Sequence, residues 1–140
     1  MVKFQKNGIT MLHKSDTPRA FVDGYDVLVT FEGQRAVRIP KQQFYLDINH
    51  FKEMPSLKDV LSLADVKADL SILPNVEIIG NKQYRQFSDG KNIYYLSEKF
   101  VKDMIYKSDE YTYYLKGNMI ICCINEIVIE AICLFKKKTD

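Results

Sequence analysis

The sequence predicts an α+β fold, mainly an antiparallel sheet with two helices, in a single domain over residues 1–140. Short runs of β-branched and aromatic residues recur along the chain, separated by Gly, Asn and Asp turn signals. Two segments instead carry apolar residues at helical spacing. With 140 residues, 46% hydrophobic and 27% charged, the chain has the size and composition of one ordinary globular domain.

The N-terminal half begins with a predicted hairpin. In "DVLVTFEGQRAVRI", strands are expected at residues 26–31 and 34–39, and the glycine of Glu32-Gly33 supplies the positive φ of a tight turn. Pro40 should end the second strand, because proline cannot donate to a sheet hydrogen bond. The following "QQFYLDI", residues 42–48, is predicted to form a further strand.

The first helix is predicted within residues 55–74, "PSLKDVLSLADVKADLSILP". Ser56 can cap its free amides, Asp59 can return the bond, and Pro74 bounds it downstream. One face would be apolar and the opposite one mixed in charge. The apolar positions are Leu57, Val60, Leu61, Ala64 and Ala68, and the exposed ones are Lys58, Ser62, Asp65 and Asp69.

Six more strands and a second helix complete the prediction. Strands are expected at residues 76–79, 84–87 and 93–96, and the last two are joined by the "SDGK" turn. The segment "SEKFVKDMIYK", capped by Ser97, predicts the second helix. Strands at residues 111–116, 119–124 and 127–135 then follow, with turns at Gly117-Asn118 and Asn125-Glu126.

Two adjacent cysteines lie in the last apolar run, "NMIICCINEIVIEAICLF". Neighbouring residues of a strand point to opposite faces, so Cys122 and Cys123 are not expected to bind one metal or form a disulfide. The Asn125-Glu126 turn would place Cys123 opposite Val128 and Cys122 opposite Ile129. We interpret both thiols as core residues, while a thiol-dependent enzyme using one of the three cysteines stays as an alternative.

Other catalytic and cofactor patterns are not found. His13 and His50 stand alone, without a second ligand at metal-binding spacing, and no glycine cluster could hold a phosphate. The sequence therefore predicts a protein that is not an enzyme and needs no metal or cofactor. The net charge is +2, and no apolar run is long enough for a signal or a membrane span, which favours a cytoplasmic protein.

Two phrases and the order of elements carry a family resemblance. "VDGYDVLVTFEGQRAVRIP" and "SEKFVKDMI" are similar to the strand-turn segment and last helix of bacterial DNA sliding clamps. From residue 43 onward, the predicted order of one strand, helix, three strands, helix and three strands resembles a single clamp repeat domain. The resemblance implies helices that face DNA, in a chain that forms a homo-oligomeric ring or acts as a lone module, yet the charges of both predicted helices are mixed.

The leading hypothesis is a small macromolecule-binding protein whose partner is another protein. Such compact domains without cofactor motifs are typical of inhibitors and accessory factors, including those of phages and mobile elements. Tyrosine is enriched at protein interfaces, and a tyrosine-rich segment near the C-terminus is the candidate surface. Its residues are Tyr106, Tyr111, Tyr113 and Tyr114.

The alternative hypothesis is a clamp-like, DNA-associated replication accessory subunit. The segment "NKQYRQFSDGKNIYYL" interleaves cations with aromatic residues, a combination that can hold phosphates and stack bases. The second helix adds further lysines. Candidate nucleic-acid contacts are Lys82, Arg85, Lys91, Lys99 and Lys102, and so small a set predicts only weak binding.

Overall fold

The computed structural model describes residues 18–30, 35–104 and 111–135, with the side chains beyond Lys102 of the second helix excluded. These residues form ten strands and two helices. Helix α1 is Leu57–Val60 and helix α2 is Glu98–Met104. The strands are β1 Arg19–Asp23, β2 Asp26–Thr30, β3 Arg35–Pro40, β4 Lys52–Glu53, β5 Ala68–Ile79, β6 Lys82–Ser88, β7 Ile93–Ser97, β8 Tyr111–Lys116, β9 Met119–Ile124 and β10 Ile127–Cys133.

One sheet contains all ten strands, in the order β4-β1-β2-β3-β10-β9-β8-β5-β6-β7. Neighbouring strands are antiparallel apart from β1 and β4, which are parallel. The predicted α+β class dominated by antiparallel strands is therefore confirmed. The predicted β9–β10 turn is also confirmed: Asn125 and Glu126 both have positive φ, 50° and 66°, as a two-residue hairpin turn of the primed type requires.

Strand β5 bends the sheet by changing partner midway. Residues 68–70 pair with β8, and the rest of the strand pairs with β6. Between Ile72 and Val76 the register shifts, at a site that contains Pro74, which has no N–H to donate. Beyond β10, the Phe135 N–H donates to the Tyr95 carbonyl of β7 at 3.0 Å. Strands β10, β9, β8, β5, β6 and β7 therefore form a ring that this bridge closes.

Three apolar clusters fill the molecule. The first lies inside the ring and includes Phe87, Leu96 and Ile120, with Val101 of α2 packed on it. A second lies beneath residues 44–51, around Val29 and Ile39. The third lies on the opposite face of the central strands, where Leu57 and Leu61 cover Leu28, Ile121 and their neighbours.

The two adjacent cysteines face different clusters, as predicted. Cys122 points into the ring and Cys123 into the cluster beneath α1, and both are fully buried. Burial raises the pKa of the Cys122 thiol well above its ordinary value and that of Cys123 to about 11. Cys123 pairs with Val128 as expected, but Cys122 pairs with Glu130 instead of Ile129, because a bulge adds one residue to β10.

A buried ion pair lies where β3 meets β10. The Arg35 Nε donates to Glu130 Oε1, and the two side chains are 1% and 0% exposed. The Arg35 guanidinium also lies over the Phe100 ring of α2, 5.6 Å from its centroid. The pair thus joins β3, β10 and α2 at one point beside the ring interior.

The predicted first helix is wrong in extent. Only Leu57–Val60 is helical, Ser56 makes no side-chain capping hydrogen bond, and Asp65 turns the chain with a φ of 61°. Beyond Val60, the positions expected to share the helix face lie instead in a turn and, from Ala68, in β5. Of the predicted stripe, Leu57 and Leu61 are buried as expected.

Cations from the sheet hold the end of this single helical turn. The Arg38 Nη2 donates to the Leu61 carbonyl at 3.2 Å. The buried Lys116 ammonium donates to the Asp59 carbonyl and, at 3.0 Å, to that of Ser62. A further turn of helix would use some of these carbonyls for its own bonds, so the tertiary contacts favour a short helix over the local apolar spacing.

The remaining strand predictions agree with the structure only in part. Residues 42–48 form no strand: a 3-10 turn, Lys41–Gln43, leads through irregular chain to a second 3-10 turn, Ile48–His50. Phe44, Leu46 and Ile48 pack on the second cluster. Strand β1 was not predicted. The expected strand over residues 127–135 ends at Cys133, and β3 ends at Pro40 as predicted. The turn expected at Glu32-Gly33 lies outside the described residues.

Candidate functional site

An open groove of about 880 Å³ lies where the ring of strands closes. Its walls are residues 81–84 at the start of β6, residues 97–100 with Lys102 around α2, and residues 133–135 at the end of β10. Gly80, with a φ of 65°, turns the chain into β6 and so brings Lys82 to the rim. We call this feature the α2 groove.

The α2 groove is basic. Lys82, Lys99 and Lys102 line it with exposed side chains, and the last two are three residues apart on α2 and so share a face. Among the described residues that line it, the one carboxylate, Glu98, is 6% exposed. Arg85 holds that carboxylate with two bonds, Nε to Oε2 at 3.0 Å and Nη2 to Oε1 at 2.6 Å, which offsets its charge. Among the described lining residues, the three lysines therefore carry charges that no carboxylate offsets.

Aromatic rings form the apolar part of the wall. Tyr84 and Phe135 stack with centroids 4.1 Å apart and planes inclined by 21°. The Lys99 Nζ lies 6.0 Å from the centroid of Phe100, the ring that Arg35 contacts. The partly exposed Cys133 also lines the groove. The site thus combines cations with apolar surface.

The structure brings together three of the five predicted nucleic-acid residues, since Lys82, Lys99 and Lys102 share the α2 groove. Arg85 contacts Glu98 and the Leu73 carbonyl. Lys91 lies in the turn at the opposite end of the β6–β7 hairpin. There Asp89 accepts the N–H groups of Asn92 and Lys91, at 2.7 and 2.8 Å, and these bonds lower its pKa to about 2.

The predicted protein-binding tyrosines do not share one face. Tyr113 is buried inside the ring, where burial raises its pKa, and its ring meets Phe87 edge-on at 5.5 Å. Tyr114, the next residue, packs on the opposite face against the cluster beneath α1. Tyr111 is partly buried between two clusters, and Tyr106 lies outside the described residues.

A second surface, absent from the predicted set, lies beside the groove on β5. We call residues 76–79 the outer edge of β5. Val76 and Ile78 share one face there and are 42% and 69% exposed, although both are large apolar residues. Beyond this edge, the described chain places no paired strand. The run "VEII" does predict a strand, but the exposure of its apolar residues depends on which strand lies alongside.

Metal-ligand clusters and membrane-spanning helices are absent from the described residues. Within ranges 18–30, 35–104 and 111–135, no three His, Cys, Asp or Glu side chains group in a way that could hold a metal ion. His50 pairs with Asp47 at the surface, 3.3 Å between Nε2 and Oδ2, and His13 lies outside those ranges. Neither described helix has the length and apolar character needed to span a membrane.

Comparison of the chain with protein-family models, with curated proteins and with solved structures gives no match.

Proposed function

We propose that this chain is a small non-catalytic module that binds another protein through the outer edge of β5. The observation that carries the proposal is the pair of exposed apolar residues, Val76 and Ile78, beside an edge that no described strand covers. An inhibitor or accessory factor acting in the cytoplasm would use such a surface.

Strand addition is the binding mode that suits this edge. An extended segment of a partner can lie along this edge, with its alternate side chains in contact with Val76 and Ile78. Uncovered apolar edges promote aggregation, and natural sheets commonly protect them with charges, proline or bulges. Pro74 and the bulge protect the start of this half of β5, and the outer edge itself carries one charged residue, Glu77.

The test compares two substitutions of exposed isoleucines. Ile78→Lys places a charge in the proposed interface, and Ile127→Lys makes the same change at the β9–β10 turn, where Ile127 is 55% exposed. Wild type and both variants capture proteins from a lysate of the native cell after nuclease treatment. Each captured protein is then purified and titrated calorimetrically.

We expect one protein that binds wild type and Ile127→Lys with similar affinity, and that binds Ile78→Lys at least tenfold more weakly. Equal affinity for all three forms would exclude the outer edge of β5 as the interface. A partner whose capture depends on nucleic acid would overturn the proposal of direct protein binding.

The basic α2 groove supports a second candidate function, the clamp-like DNA-associated subunit. Three lysines can neutralise about three phosphates, so we expect duplex DNA to bind with a dissociation constant no tighter than about 10⁻⁵ M and a log–log salt slope near −3. Fluorescence anisotropy across a salt series measures both. Submicromolar binding that Lys99→Glu/Lys102→Glu abolishes would favour this candidate over protein binding.

A further inference from the structure

We propose that the α2 groove binds an acidic peptide segment of a protein partner, with its carboxylates at Lys82, Lys99 and Lys102 and its apolar side chains on Phe100 and Phe135. The inference rests on the proposed function in taking a protein as the ligand, but it assigns a different site from the outer edge of β5.

Charge is the first argument. The three lysines project from two walls, Lys82 from β6 and the other two from α2, so an anionic segment between the walls would meet cations on both sides. Of the lining residues that the structure describes, only Glu98 carries a carboxylate, and Arg85 binds it. Separate ammonium groups suit carboxylates spaced along a peptide, since each acts as an independent point charge.

The aromatic lining favours a peptide over single-stranded nucleic acid. Bases bind such grooves by stacking on accessible ring faces. Tyr84 is 7% exposed and already stacked on Phe135, and Phe100 is flanked by the cations of Lys99 and Arg35. Phe100, Leu134 and Phe135 still offer apolar surface, which a segment of mixed acidic and apolar residues would cover.

The size of the groove agrees with a short segment. Its volume of about 880 Å³ lies near the upper end of the 300–1,000 Å³ range that holds drug-sized ligands, and it is open to solvent instead of enclosed. A peptide of several residues can therefore enter and leave at the ends of the groove.

The test uses a fluorescein-labelled peptide of sequence EFEELE, with the neutral peptide QFQQLQ and a single-stranded oligothymidylate as competing probes. The groove variant is Lys99→Glu/Lys102→Glu. Its matched control is Lys41→Glu/Lys52→Glu, two exposed lysines near β1 and β4 at the far end of the sheet. Both double variants shift the formal net charge from +2 to −2, so any difference between them reports position.

Cys133 supplies a reporter inside the groove. It is partly exposed in the wall, whereas Cys122 and Cys123 are fully buried. In the full chain, saturation with EFEELE should slow alkylation of Cys133 at least threefold, as followed by mass spectrometry of the modified residue. Circular dichroism melts confirm that each variant is folded before it is titrated.

We expect EFEELE to bind wild type and the control variant equally, and the groove variant at least tenfold more weakly. QFQQLQ should bind at least tenfold more weakly than EFEELE. Equal loss in both double variants, equal binding of the two peptides, or unchanged Cys133 alkylation would overturn the proposal, and tighter binding of the oligothymidylate would replace it with nucleic acid.

The Ile78→Lys variant separates this proposal from the proposed function. Retained EFEELE binding in that variant, together with loss of the captured partner, would support two independent surfaces. Loss of EFEELE binding in Ile78→Lys would show that the peptide uses the outer edge of β5 and would overturn the assignment to the groove.

Discussion

Two Arg–Glu pairs, both next to α2, show how burial changes the consequence of the same chemistry. Arg35–Glu130 lies beside the ring interior with side chains 1% and 0% exposed. Arg85–Glu98 lies beneath the α2 groove with side chains 23% and 8% exposed. Removing one partner of a buried ion pair strongly destabilises the fold, because the charge of the other partner is then uncompensated. The first pair therefore contributes mainly to stability, and the second also affects the charge of the α2 groove.

The largest effect is expected at the buried pair. Glu130→Ala leaves the Arg35 guanidinium without its carboxylate and should lower the free energy of unfolding by about 3–5 kcal/mol. Urea melts at matched m-values measure the loss. The double variant Arg35→Met/Glu130→Leu removes both charges and should recover most of it. A loss below about 1 kcal/mol for Glu130→Ala would contradict the burial of this pair.

A second comparison uses two isoleucines on strands of the ring, one buried and one exposed. Ile121→Ala removes a fully buried side chain and should lower the free energy of unfolding by about 2–5 kcal/mol. Ile78→Ala, at the exposed outer edge of β5, should change it by less than about 0.5 kcal/mol. Urea melts of both variants and wild type give the two values. Similar losses at both positions would mean that the outer edge of β5 is covered in the folded chain.

A smaller effect is expected at the groove pair. Arg85→Met removes the hydrogen bonds to Glu98 and should lower the free energy of unfolding by about 1–3 kcal/mol. It also leaves an uncompensated carboxylate in the groove, so EFEELE binding should weaken. Glu98→Gln, which removes that negative charge, should not weaken it. Anisotropy titration of both variants checks the contrast, and equal affinities would show that Glu98 does not influence the groove.

The smallest effect concerns the turn at the far end of the β6–β7 hairpin. Backbone N–H donors from Asn92 and Lys91 lower the pKa of Asp89 from 3.8 to about 2. Because the pKa is lower in the folded state, the ionised form stabilises the fold above pH 3.8, and this contribution is lost as the pH falls towards 2. NMR titration of the Asp89 carboxyl carbon measures the midpoint. A midpoint near 4 would show that the turn does not hold these hydrogen bonds.

The failed first helix shows where sequence patterns stop being sufficient. The spacing of Leu57 and Leu61 correctly indicates one buried helical turn. The end of that turn depends on Lys116, whose ammonium reaches the Asp59 and Ser62 carbonyls from 54 or more positions away in the sequence. No local pattern contains that contact. Tertiary hydrogen bonds override the helical spacing that continues through Ala64 and Ala68.

Turn signals in the sequence predict the strands more reliably than the spacing of apolar residues does. Each of the last three predicted strands is present because Gly117-Asn118 and Asn125-Glu126 fix both hairpins. The missed strand β1 was signalled in the same way, since Asp23-Gly24 precedes β2 and Gly24 has a φ of 61°. Apolar spacing is less reliable: Phe44, Leu46 and Ile48 are spaced as on one face of a strand, yet they pack on the second cluster from irregular chain and a 3-10 turn.

The candidate site was predictable in part. Lys99 and Lys102 share a helix face at a spacing readable from the sequence. The proximity of these two lysines to Lys82 and Phe135 depends on the bridge between Phe135 and Tyr95, which closes the ring. That contact joins positions 40 residues apart across a sheet whose strand order is not sequential. The groove therefore depends on the strand order of the sheet, which local sequence patterns do not indicate.

The arrangement of Cys122 and Cys123 has a consequence for how the protein opens. These adjacent residues face separate apolar clusters, one inside the ring and one beneath α1. Each thiol can react only when the apolar cluster that covers it opens. The reaction rates of the two thiols in the native protein therefore report two separate local openings. Equal reaction rates of Cys122 and Cys123 would show that both clusters open together. Unequal rates would show which cluster opens more readily.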